Sequence, residues 1–131
     1  MKTLTFAVAL AAAVAAVAAP ASAHHSGAMF DRTKQMTLTG TLKQVEWVSP
    51  HAWIHIDVPD ASGKVTSWAI EMGGGAGSFQ GIGITRSYPK VGEKITIVGY
   101  PLRDGRPAAS FVRITLPDGR VMGAGAPRPA N

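Results

Sequence analysis

Four histidines are the residues with the most chemistry to offer, and all lie in the first half of the chain: His24, His25, His51 and His55. His24 and His25 directly follow Ala21-Ser22-Ala23, a small-x-small pattern of the kind cut by signal peptidase. Cleavage after Ala23 makes His24 the first residue of the mature chain. Its α-amine and its own ring nitrogen then form a chelate, and His25 adds a second imidazole. Nitrogen donors in a near-planar array suit Cu(II), then Ni(II), better than Zn(II). The amine titrates near ~8 and imidazole near ~6.5, so binding at neutral pH costs little deprotonation. His51 and His55 are four apart on one expected strand. Their Cα atoms are then about 13 Å apart at ~3.3 Å per residue, too far to share one ion. One of them, His51 beside the Ser49-Pro50 bend first, is the candidate to complete a site begun by His24 and His25.

The remaining side chains offer less. Trp47 and Trp53 are candidate ligand-binding aromatics, with core packing as the competing role. Glu46, Asp57 and Glu71 are scattered strand carboxylates with no spacing that pairs them. The chain has no cysteine, so thiolate metal sites and disulfides are excluded. No Ser-His-Asp arrangement or glycosidase carboxylate pair is recognisable, and a non-catalytic protein is expected. Gly73-Gly74-Gly75-Ala76-Gly77 lacks the Gly-Lys-Ser/Thr ending of a phosphate loop.

These residues need a scaffold, and the pattern predicts one. Residues 1–23 read as a signal peptide: Lys2, an alanine-rich apolar run from Leu4 to Ala19, then Pro20. The run is shorter than the ~20 residues that span a bilayer, so no stable membrane insertion is expected after processing. The expected location is the periplasm. Residues 24–34 form an irregular lead-in, residues 35–122 the domain, and residues 123–131 a Gly/Ala/Pro tail expected to be disordered. The formal charge is +5, with cations scattered and no dense basic run, so nucleic acid is not expected as a partner. The expected partner is a metal ion or small ligand, and a protein partner is left open.

Within the domain the apolar residues alternate. Ala52, Ile54, Ile56 and Val58 share one face of a strand, and His51, Trp53, His55 and Asp57 the other. Between Met36 and Val48 the phase slips from Met36, Leu38 and Leu42 to Val45 and Trp47. That predicts a bulge at Gly40 or at Lys43-Gln44. Further strands are expected at Lys64–Met72, Lys94–Tyr100, Ala108–Leu116 and Val121-Met122. Gly73–Gly83 is a loop or, at most, a short and poorly favoured helix. The result is an all-β chain: a five- to six-stranded OB-like barrel with an irregular or helical segment between strands 3 and 4. A small β-sandwich is the alternative.

The segments Gly40-Thr41-Leu42 and Glu46-Trp47-Val48-Ser49-Pro50-His51-Ala52-Trp53-Ile54, with His24-His25-Ser26 at the mature start, resemble a family of short exported bacterial proteins of unknown function. Trp68-Ala69-Ile70-Glu71, Val91-Gly92-Glu93 and Leu116-Pro117-Asp118-Gly119-Arg120 extend the resemblance over nearly all of the mature domain. The chain departs from that family at Ser49, where asparagine is common, and in the glycine-rich Gly73–Gly83. The resemblance implies no activity; it marks His24, His25 and His51 for attention. Three functions are therefore in view. The first is an exported, non-catalytic copper-binding protein. The second is an OB-like module in which Trp47, Trp53 and His51 meet a small molecule, glycan or protein. The third is a structural envelope component.

Overall fold

The structure, a computed structural model, describes residues 26–126. The proposed signal peptide, His24, His25 and residues 127–131 lie outside the described residues. Six strands occur: β1 Met36–Glu46, β2 Trp53–Pro59, β3 Val65–Glu71, β4 Lys94–Pro101, β5 Ala108–Thr115 and β6 Val121–Gly123. Their order is β3-β2-β1-β4-β5-β6, and β3 also pairs with β5. That pairing is parallel, through Ala69–Ala108, Ile70–Ala109 and Glu71–Ser110, and it closes a five-stranded barrel. β6 takes the same edge of β5 farther along, from Arg113 to Thr115. A 3-10 helix, Ala76–Ile82, lies between β3 and β4. This is the OB-like barrel, and the sandwich is excluded by the closure.

The alternation expected for β2 holds: Ile54 and Ile56 are fully buried, and they meet Ile70, Ile95, Ile97 and Ile114 in the core. Phe79, from the 3-10 helix, is fully buried in the same core. The helix forms despite its glycines because Phe79 and Ile82 bury in that core, while Gly83 (φ 74°) caps its end.

β1 is bulged at Lys43. Leu42 faces Ile56 and Gln44 faces His55, so Lys43 is the extra residue. Gly40 is not the bulge; it is a close approach, where a Cβ would run into the Asp57 carbonyl. β1 pairs with β4 up to Thr41 and with β2 from Thr41 onward, so the bulge lies where the strand has just left β4.

Both ends of the domain are more ordered than the sequence predicts. The lead-in expected to be irregular contains a 3-10 turn, Ser26–Met29, and Phe30 is buried in a bridge to Leu102. Asp31 N–H donates to the Pro101 carbonyl at 2.8 Å, and Arg103 N–H to the Met29 carbonyl at 2.9 Å. Residues 123–126, expected to belong to the tail, are described and bonded to the barrel. Gly123 pairs with Arg113, and Ala124 N–H donates to the Val112 carbonyl at 2.9 Å. Gly123 has φ 111° and sits so close to Val112 and Arg113 that only glycine fits. Among the described residues no helix is long and apolar enough to cross a membrane.

Candidate functional site

The site is built by the register of the outward face. The ladder between β2 and β3 runs one step past the start of β2: Met72 N–H donates to the Ala52 carbonyl at 2.9 Å, and Ala52 N–H donates to the Gly74 carbonyl at 3.2 Å. With Ala52, Ile54 and Ile56 buried, His51, Trp53 and His55 share the opposite face. Trp53 lies opposite Glu46 on one side and Glu71 on the other. The bulge at Lys43 makes this possible. In unbroken alternation Glu46 would share the inward parity of Leu38 and Leu42. The extra residue turns Glu46 outward, and Val45 and Trp47 pack against the core instead.

The face is therefore a cross centred on Trp53. His55 follows it on β2 and His51 precedes it in the segment entering β2, while Glu46 and Glu71 lie on the strands to either side. Each histidine takes one carboxylate. His55 Nε2 is 2.8 Å from Glu46 Oε1, a hydrogen bond. His51 Nδ1 is also 2.8 Å from Glu71 Oε1, but the ring N–H is not aimed at that oxygen and finds no aligned partner. The His51 contact is thus a close approach and not an aligned hydrogen bond. Glu71 is the one buried charged residue among those described, its side chain 8% exposed beneath a His51 that is 41% exposed. A carboxylate taken out of water is costly unless paired, and His51 is the partner in place.

Farther along the same face, Asp57 accepts from the Ser67 hydroxyl, and Lys43 Nζ reaches Ser67 Oγ at 2.9 Å and Asp57 Oδ1 at 3.5 Å. The Ser67 hydrogen bond, helped by Lys43, holds the Asp57 carboxyl below the usual aspartate value. This network ties the bulge to the neighbouring strands.

The sequence-derived candidates are thus only partly assembled. His51 and His55 sit on one face, each on its own carboxylate. His24 and His25 lie outside the described residues, and the described residues contain no group of three metal-ligating side chains. Phe30, the first buried residue after them, docks beside the β4–β5 connection at the start of β1, whereas His51 follows the end of β1. Trp47 and Trp53 do not form one platform. Trp53 is on the outward face, while Trp47 packs edge-on to Phe79, with ring centroids 4.6 Å apart at 62°. Glu46 and Glu71 are not placed together as a carboxylate pair; each instead meets a histidine, and Glu71 is buried. Turn length carried the missing signal: Asp60–Lys64 joins partners Pro59 and Val65, and counting back from that pair sets Trp53 opposite Glu71.

None of the curated proteins matches this chain in sequence. Two solved structures of the mitochondrial single-stranded DNA binding protein Rim1 from S. cerevisiae, one of them selenomethionine-labelled, are similar in fold. Each is 12% identical and covers 63% of this chain; the TM-scores are 0.49 and 0.44, with 92% and 93% of those chains covered. A likeness of this size carries no partner to this chain. The expectation of no nucleic-acid partner does not stand, because scattered positive charge alone does not exclude one. In sequence, residues 11–110 match the model of a family of unknown function, DUF6152, and the chain belongs to that family.

Proposed function

We propose that this protein is a non-catalytic OB-like binding module whose ligand lies on Trp53, and that the ligand is a small polar molecule with an apolar face, a sugar unit of a glycan being the best fit. The observation that carries the reading is the Glu46–Trp53–Glu71 row with His51 and His55 on the carboxylates. An indole packs against the apolar face of a sugar ring, while the exposed Glu46 carboxylate accepts from its hydroxyls, the imidazoles supply further hydrogen bonds and buried Glu71 holds His51 in place. Each element already stands on the rigid β2 strand or its immediate neighbours, so little ordering is needed on binding. A nuclear magnetic resonance titration with neutral, amino and acidic monosaccharides and their short oligomers tests it. The Trp53 indole N–H and the two histidine rings should shift together, and Trp53→Ala should abolish the response. A well-folded protein whose Trp53 ignores every sugar would rule the reading out.

A second reading is favoured by the His55–Glu46 hydrogen bond. A carboxylate on one ring nitrogen is how metal-binding histidines are commonly oriented, and it leaves the other nitrogen for an ion. In this reading export and cleavage after Ala23 free His24, which supplies amine and imidazole, His25 assists, and His51 or His55 completes a Cu(II) site. Cu(II) titration of the processed chain, repeated with one extra residue before His24, decides it. Equal affinity in the two would eliminate the amine chelate.

A further inference from the structure

A separate cavity opens where β1 leaves β4. β4 accompanies β1 only as far as Thr41, so beyond it the segment Thr85–Val91 stands across from Lys43–Trp47. The space between them is an open cavity of about 570 Å³, and a second of about 390 Å³ adjoins it, the two sharing Trp47, Thr85 and Arg86. Both volumes fall in the range of small-molecule sites. The charge is one-sided: Lys43, Arg86 and Lys90 line the larger cavity, and no carboxylate does. Glu93, near in sequence, does not line it and accepts from the Lys90 backbone N–H at 2.7 Å.

Arg86 is the centre of this site. Its guanidinium carbon lies 4.7 Å from the centroid of the Trp47 ring, and Trp47 is itself held by buried Phe79. Ion pairs among the described residues engage Lys34, Lys43, Arg103, Arg106 and Arg120. Arg86 is in none of them. An indole occupies one flat face of a guanidinium and leaves its N–H edge for two parallel bonds to a carboxylate or phosphate. A cation fixed in this way has lost its side-chain freedom before any ligand arrives, which lowers the entropy cost of binding. Lys43 is shared with Asp57, so Arg86 and Lys90 supply most of the unpaired charge.

We infer that the Arg86–Trp47 groove binds a small anion-bearing ligand: a carboxylate or phosphate ester with an apolar or aromatic body. The anion sits on Arg86 within the field of Lys90, and the body fills the lobe beside Trp47 and Ile84. The site is independent of the Trp53 face. Amide and indole shifts should be followed while phenyl phosphate, benzoate and the uncharged isostere benzamide are added at fixed ionic strength. The two anions should shift the Trp47 indole N–H and the amides of Thr85–Ser87, and benzamide should not. Arg86→Gln should weaken binding about tenfold or more, while Lys94→Gln, outside both cavities, and Trp53→Ala should leave it unchanged. The inference fails if the anions give no localised shift, if benzamide does as well, or if Arg86→Gln binds as the parent does.

Discussion

At the scale of single residues, the most informative side chain is Glu71. Burying a carboxylate seldom benefits a fold: an apolar residue of similar size is often neutral or stabilising, by about 1–4 kcal/mol where whole buried pairs have been replaced. The partner, by contrast, is needed as long as the charge is there. Two substitutions should therefore behave oppositely. His51→Ala, which strands the Glu71 carboxylate, should cost about 1–3 kcal/mol in urea unfolding. Glu71→Met should leave stability unchanged or higher and still weaken any ligand of the Trp53 face. Equal destabilisation by both would mean that the pair serves the fold alone. The histidines themselves were legible in the sequence, as was their separation. The burial of Glu71 was not, because a glutamate at an outward strand position is ordinarily solvated, and only contact with His51 marks it as different.

At the scale of elements, the bulge in β1 decides which chemistry faces outward. The phase slip between Leu42 and Val45 was readable because a strand has period two, and any slip shows as a change of parity. Deleting Lys43 restores the parity and drives Glu46 inward and Trp47 outward, so loss of cooperative thermal unfolding is expected. Gly40→Ala, forced against the Asp57 carbonyl, should cost about 1–3 kcal/mol by denaturant unfolding. The turns contribute differently. Asp60 accepts from the Ser62 hydroxyl and from the backbone N–H of Ser62 and Lys64, and the Ser62 hydroxyl bond leads in lowering its pKa. A lowered folded-state value means that the unfolded chain binds the proton more tightly. The stabilisation is then complete above the ordinary aspartate value of about 3.9 and is lost as pH falls through the lower folded value. Thermal melts at successive pH values below about 4 should fall less steeply for Asp60→Asn than for the parent. A parallel fall would assign the acid sensitivity elsewhere, with Asp104 and Asp118 the next turns to examine.

At the scale of the whole molecule, a small barrel presents two chemically distinct surfaces. One is a tryptophan between imidazole–carboxylate pairs on the outer face of β1–β3. The other is a cationic groove where β1 and β4 part. Local pattern in the sequence was enough for the strands and most turns, since alternation and Gly/Pro punctuation are local. The barrel itself was expected, but the register of β3 on β5 that closes it, and the docking of Phe30 on Leu102, were not legible, because they join residues about forty or seventy positions apart with no local mark. Whether Trp53 is the working residue is the central claim, and the sugar titration followed at its indole N–H tests it most directly. Saturable shifts of Trp53, His51 and His55, lost in Trp53→Ala and kept in Arg86→Gln, are the predicted result; a response that survives Trp53→Ala, or none to any sugar, would contradict it.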